Sequence, residues 1–328
     1  MKEYAPLLAL FLKHLDDYRA SFNSSSPKEL YEPGDYILSL GGKRLRPLMA
    51  LVACDLLDKD PAMALDSALA VELFHNFSLV HDDILDAAPL RRNKPTVHAR
   101  WNTNIAILSG DMLLVKAFSA LESYPPEEFR NLFSLFRQTA LEVCEGQQLD
   151  MNFESLSLVS VQEYLDMITW KTAVLLGCSL QMGAINAGAD AATQQHLYEF
   201  GKHLGIAFQL LDDLLDALAE DPEKFGKQTG GDILANKKTF LLLKAMELAS
   251  ASQKQEITRL LDMKADQAQE KIAGMLAVYN QLDIKKCCQD EADRHTQLAI
   301  SFLDRVSASP AKKEALKSFA FELLERQV

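Results

Sequence analysis

Residues 72–86 read ELFHNFSLVHDDILD. Apolar side chains recur at three- and four-residue spacing, the period of a helix, and no strand-like alternation interrupts them. Asp82 and Asp86 then fall one turn apart on the same helix face. Like charges at that spacing destabilise a helix unless something positive sits between them. The surrounding Phe77, Leu79, Val80, Ile84 and Leu85 are apolar, so a merely solvated acidic stripe does not account for the cluster. Residues 208–216, FQLLDDLLD, repeat the arrangement with Asp212, Asp213 and Asp216. Hard divalent cations resolve the repulsion, and Mg²⁺ in particular binds one or two carboxylates together with substrate phosphates. The two segments read as facing helices across one bundle.

The same helical period extends outward over almost the whole chain. The spacing predicts helices near 3–22, 28–40, 44–58, 61–87, 104–122, 127–149, 161–187, 192–219, 238–249, 253–264, 267–281, 284–306 and 311–326. Cap signals support the starts: Ser26-Pro27-Lys28-Glu29, Asp60-Pro61, Ser160 with Glu163, Ser252 with Gln255, and Ser309-Pro310. Only 14 Gly and 11 Pro in 328 residues disfavour a many-stranded sandwich or barrel. Two polar, irregular segments, 88–103 and 220–237, each follow an aspartate cluster. The helices on either side are alike, so neither segment marks a domain boundary. The expectation is an all-α chain forming one domain over residues 1–328.

With 34 Lys plus Arg against 46 Asp plus Glu, the net charge of −12 argues against nucleic acid as a partner. Any anionic ligand must be met by local basic clusters or by metal ions. The five cysteines show no CxxC spacing and fit a reduced, cytoplasmic compartment. The N-terminus lacks the pattern of a signal peptide, and no stretch is expected to cross a membrane. The basic residues that could meet an anion are grouped. Gly41-Gly42-Lys43-Arg44-Leu45-Arg46-Pro47 opens a helix with a glycine pair and three cations, suited to clamping a diphosphate. Arg91 and Arg92 follow the first aspartate cluster, and Lys227, Lys237 and Lys238 follow the second. Lys171 and Thr172 sit in mid-helix between Trp170 and an apolar run, a costly place for a lysine without an anion.

GGKRLRP, ELFHNFSLVHDDILD, RRNKPTVH, the mid-chain KT, FQLLDDLLD and FGKQTGGDILANKKT, in this order, resemble the trans-polyprenyl diphosphate synthases, over roughly residues 30–240. The resemblance implies an all-α bundle around a central cavity, usually a homodimer, that joins an allylic diphosphate to isopentenyl diphosphate with Mg²⁺. By motif position, Asp82 and Asp86, with Asp212 opposite, would hold the metal, supported by Asp83, Asp213 and Asp216. Arg91, Lys171, Lys227 and Lys237 would contact the allylic diphosphate. Lys43, Arg46, His75 and Arg92 would bind isopentenyl diphosphate. Thr172 and Gln209 would lie beside the ionising carbon, and released diphosphate would take the final proton. Phe77, five residues before Asp82, would form a floor under the growing tail. An aromatic there resembles short-chain synthases making geranylgeranyl diphosphate, with farnesyl diphosphate next. Asn93 departs from the glycine common after the paired arginines.

Two other readings share parts of this pattern. A class I terpene cyclase has a helical fold and an aspartate-rich metal site, but its second metal motif mixes Asn, Ser or Thr with Glu, and it does not need a second diphosphate site. A non-catalytic subunit of a longer-chain synthase would usually have lost aspartates or arginines, which are intact here. A di-iron bundle would require Glu-x-x-His pairs, and none is placed beside either aspartate cluster; the one in the chain, Glu72 with His75, ends seven residues before Asp82.

Overall fold

Some helix and turn starts are set by a side chain that satisfies unpaired N–H groups of the first turn. Ser160 accepts from the Glu163 N–H while Glu163 reaches back to Ser160, a complete capping box. Asn102 does the same for the Ile105 N–H, and Asp60 for the Ala62 N–H. The computed structural model describes residues 3–218 and 230–325. Lys227 lies outside the described residues.

In chain order the helices are α1 (Ala5–Ala20), α2 (Lys28–Ser39), α3 (Leu45–Leu56), α4 (Leu65–Leu85), α5 (Val97–Arg100), α6 (Thr103–Ser119), α7 (Pro126–Ser155), α8 (Val161–Ile168), α9 (Val174–Asn186) and α10 (Ala191–Leu218). After the undescribed stretch come α11 (Gly231–Leu234), α12 (Phe240–Leu248), α13 (Ala251–Leu261), α14 (Ala268–Gln281), α15 (Ile284–Asp304) and α16 (Pro310–Leu324). The fold is all-α, as the periodicity predicts.

Four local features differ from the sequence reading. The expected helix over 161–187 is interrupted by a π turn at Thr169–Ala173, around Lys171 and Thr172. The segment after the first aspartates contains a short antiparallel pair, β1 (Leu90–Arg91) with β2 (Lys94–Pro95). Its two-residue turn puts Arg92 at φ 52° and Asn93 at φ 60°. A tight hairpin needs positive φ at both positions, and Asn tolerates this best after Gly, so Asn93 serves the turn that a glycine would make. The box near residue 250 is built by Ser250 and Gln253, because α13 begins earlier than expected. At α2, Pro27 takes the extended position before the helix, which leaves Ser26 too far back to cap it.

The chain divides into two compact units. The first contains Met1–Ala140, Leu175–Glu199 and Leu303–Ala315. Its core includes Phe11, Ile37, Met49, Leu51, Leu73, Phe74, Leu113 and Phe136, each sealed from solvent. Along α4, Ala68 to Phe74 are buried without a break, the mark of a helix surrounded on all sides. Residues Thr103–Ser123, with mean hydropathy 1.4, are long and apolar enough by length and composition to cross a membrane, which corrects the expectation that no stretch reaches that length. Ala106, Met112, Leu113 and Ala117 of that segment are buried inside the unit, while Ile107, Leu108 and Val115 are exposed. The second unit contains Leu141–Val174, Phe200–Phe302 and Leu316–Val328. Its core joins Tyr164, Met167 and Ile168 to Leu210, Leu214, Phe240, Leu243, Tyr279 and Cys288.

Candidate active site

In the first unit, the loop before α3 turns through Gly41 at φ 75° and Gly42 at φ 123°, conformations open to glycine. Arg44 follows in the left-handed region and points inward. Its guanidinium pairs with buried Glu72 and donates to the Leu38 carbonyl. Arg44 is therefore a structural cation, and the expectation that all three cations of this loop clamp a ligand is corrected. Lys43 stays exposed. Arg46 donates from Nη1 to His75 Nε2 at 3.3 Å. Since an arginine has only donors, the imidazole nitrogen accepts. Burial first, then the charges of Arg46, Arg92, Arg91 and Arg44, hold the His75 pKa well below the ordinary histidine range. The imidazole is neutral. The buried Nε of Arg46 has no hydrogen-bond partner among the described residues. The Arg92 side chain lies 2.7 Å from where a Gly42 Cβ would stand and donates to the Gly41 carbonyl. The loop before α3, the start of α3, the hairpin and His75 of α4 thus surround one strongly positive spot.

Two turns further along α4 come the aspartates. Asp83 is buried and held by Arg91, whose Nε bonds both carboxylate oxygens at 3.0 and 2.9 Å and whose Nη2 lies 2.8 Å from Oδ1. Asp82 is half-buried and Asp86 exposed at the end of the helix. Three carboxylates at a helix C-terminus also oppose its partial negative charge, so a cation there relieves two repulsions at once.

The second unit gathers another set. Gly146 of α7 packs directly on the Lys171 backbone, where any Cβ would overlap the amide nitrogen, and Gly205 of α10 approaches Ala173 in the same way. These contacts bring α7 and α10 to the π turn. Single π turns inside α-helices recur at functional sites. Lys171 Nζ meets Asp150 of α7 at 2.5 Å. Thr172 Oγ1 lies 3.4 Å from Gln209 Oε1, and Gln209 Nε2 donates to Asp213 Oδ1 at 3.0 Å. The Tyr164 hydroxyl donates to the other Asp213 oxygen. Burial pushes the Asp213 pKa up to about 7, against the pull of those two hydrogen bonds, with Asp232 and Asp212 adding to the rise. Asp216 Oδ2 accepts the Asp232 N–H at 2.9 Å, which ties the start of α11 to α10. Lys237 lies 3.3 Å from Asp232. Asp212 is half-buried.

In each cluster, then, some aspartates are engaged by protein groups. Asp83, Asp213 and Asp216 hold Arg91, Gln209 with Tyr164, and the α11 backbone. Sequence reading missed Glu72, Asp150, Tyr164 and Asp232. Their partners lie 16 to 49 positions away in the chain, and no spacing rule connects them. The buried positions of Glu72 and Tyr164 within otherwise apolar helix faces were the one available signal. Phe77 is 9% exposed, with its ring 5.5 Å from Phe74 and 4.7 Å from His81.

Among the described residues no three His, Cys, Asp or Glu side chains converge into a closed metal cage. Pairs of carboxylates suit Mg²⁺, which keeps several waters and takes its remaining ligands from substrate phosphates.

Comparison with known proteins agrees. The polyprenyl synthetase family profile matches residues 27–279. A geranylgeranyl diphosphate synthase of Sulfolobus acidocaldarius is 37% identical over 320 residues, covering 95% of this chain and 96% of that protein. A short chain isoprenyl diphosphate synthase of Methanothermobacter thermautotrophicus is 33% identical over 329 residues and the full length of both. The crystal structure of a geranylgeranyl pyrophosphate synthase superposes with a TM-score of 0.93 at 44% identity, over 99% of each chain. With an all-α fold, paired carboxylates and grouped cations in the order that family carries, the chain belongs to the polyprenyl synthetase family and is a prenyltransferase.

Proposed function

We propose that the protein condenses isopentenyl diphosphate with allylic diphosphates to a short-chain trans-prenyl diphosphate, mainly geranylgeranyl diphosphate with some farnesyl diphosphate, using Mg²⁺. One observation supports this most. His75, kept neutral beside four arginines, lies seven residues before Asp82 on α4, about 10 Å along the axis and on nearly the same face. An anion pocket and a metal-suited carboxylate pair at that spacing match a reaction that holds two diphosphates and joins their carbon chains.

Asp82, Asp86 and Asp212 would hold Mg²⁺, which when bound adds positive charge beside the departing diphosphate. Arg91, Lys171 and Lys237 would contact that same diphosphate, and Lys227 is assigned there by motif position alone. Arg46, Arg92, Lys43 and neutral His75 would orient isopentenyl diphosphate. As the allylic C–O bond breaks, the oxygens of Thr172 and Gln209 face the carbon that becomes positive. The isopentenyl double bond attacks that carbon, and the proton then lost goes to the released diphosphate. Apolar helix walls keep water from the cation.

We assign the protein to the cytoplasm, with none of its five cysteines in a disulfide, and as a homodimer, with exposed Ile107, Leu108 and Val115 available for burial against a second copy. Incubation with isopentenyl diphosphate, Mg²⁺ and dimethylallyl, geranyl or farnesyl diphosphate tests the activity. A linear C20 diphosphate is expected. A cyclised hydrocarbon, or no elongation from any primer, would overturn the assignment.

A further inference from the structure

The carboxylate of Asp213 is buried and contacted on both oxygens, by the Tyr164 hydroxyl on Oδ2 and by Gln209 Nε2 on Oδ1. These contacts determine which way the Gln209 amide faces. Ionised, Asp213 only accepts and so meets the NH₂ end of the amide; turning the amide over would then place two acceptors against each other. With Nε2 on Asp213, the carbonyl Oε1 is directed to the opposite side, 3.4 Å from Thr172 Oγ1. The chain Tyr164, Asp213, Gln209, Thr172 therefore ends in two oxygens side by side. Tyr164 is 2% exposed, and its hydroxyl has Asp213 as acceptor. Tyr164 belongs to α8, and Thr172 to the π turn directly after that helix. One rigid segment thus anchors both ends of the chain.

We propose that Tyr164 is a positioning residue for catalysis: through Asp213 it locks the Gln209 amide with its carbonyl oxygen toward the reacting carbon. This rests on the assignment of Gln209 beside the ionising carbon given above. Without the Tyr164 hydroxyl, Asp213 loses its second donor and is free to rotate. Gln209 then samples orientations in which its NH₂, the positive end of the amide dipole, faces the developing cation. The cost falls on turnover and not on substrate binding, because Tyr164 touches neither diphosphate group.

A double-mutant cycle tests this with steady-state kinetics on the wild type, Tyr164→Phe, Gln209→Ala and the double variant. Tyr164→Phe is expected to lower kcat about tenfold, with KM for both substrates within about twofold of wild type. In the Gln209→Ala background the same change should alter kcat by less than about twofold, because the group it orients is gone. Multiplying effects in the double variant would overturn the relay, as would an unchanged kcat in Tyr164→Phe. Wild-type turnover of Gln209→Ala would instead overturn the placement of Gln209, and the relay with it. Should Tyr164→Phe not fold, Asp213→Ala takes its place in the same cycle: it removes the acceptor of the Gln209 NH₂, so its effect on kcat should be smaller in the Gln209→Ala background than alone, and multiplying effects would overturn the proposal.

Discussion

Arg91 closes a two-oxygen ion pair on Asp83, the middle aspartate of its cluster, and holds that carboxylate inside the protein. On the proposed function Asp83 would act on the substrate through Arg91, whereas Asp82 and Asp86 are assigned to the metal. Asp82→Ala and Asp212→Ala should each lower turnover at least about a hundredfold, since metal-stabilised charge is worth several kcal/mol. Both should raise the Mg²⁺ concentration needed for half-maximal rate. Asp83→Ala should raise the allylic KM and leave the Mg²⁺ requirement near wild type. Titration of rate against Mg²⁺ for the three variants decides, and full activity in EDTA would sink the metal assignment.

The two anion groups should separate kinetically. Arg46→Ala and Lys43→Ala should raise KM for isopentenyl diphosphate, Arg46 more, because its Nε is buried with no hydrogen-bond partner among the described residues while Lys43 is exposed. Lys171→Ala should chiefly affect the allylic substrate and kcat. Equal effects of all three on both substrates would contradict two distinct sites.

Arg44 and Lys43 are neighbours with opposite roles. Removing the Arg44 side chain leaves Glu72 buried without its cation, which costs about 3–5 kcal/mol for a broken buried pair. Lys43→Ala should stay within about 0.5 kcal/mol, as an exposed substitution does. Denaturant unfolding of the two variants should show the contrast, and equal stability would contradict the inward role of Arg44.

Phe77 packs between Phe74 and His81 on α4. If its ring is the floor under the growing tail, Phe77→Ala should shift the product from C20 toward longer chains at comparable total turnover. Chain-length analysis of the extracted alcohols reads this out. An unchanged distribution would place the floor elsewhere.

The pair His203 and His295, with Nδ1 atoms 2.9 Å apart, should make stability fall in acid. Burial first, then Arg294 and His203, hold the His295 pKa down at about 4, while Glu291 opposes them. The ordinary value is about 6.5, so the unfolded chain takes up a proton that the folded one refuses. This contribution is whole above pH 6.5 and is lost as pH falls toward 4. The melting temperature should drop from pH 7 to pH 5, and His295→Gln should flatten that drop. An equally steep drop in the variant would assign it to other groups.

The helical periods, the caps at Ser160 and Asp60 and the two aspartate clusters are local, because a helix closes its hydrogen bonds within four residues. The all-α class, most helix spans and the aspartate clusters of α4 and α10 were therefore legible from spacing, whereas the roles of His75, Phe77 and Gln209 came only with the family resemblance. The π turn at Thr169–Ala173 was not, since its helical period continues through it in the sequence, and its close contacts with Gly146 and Gly205 come from helices distant in the chain. Partnership was equally hidden. Arg44, Lys43 and Arg46 look alike in a basic loop, yet the left-handed backbone at Arg44 turns it onto Glu72, 28 residues away. Asp212 and Asp213 are adjacent letters, yet one turn of α10 buries the second against Tyr164 and leaves the first half-exposed. The sequence by itself determined which residue types line up on each helix, because that follows from 3.6 residues per turn. Only the tertiary structure decided which charges are engaged inside the protein, as Arg44 is by Glu72 and Asp83 by Arg91, because that depends on contacts made across distant parts of the chain.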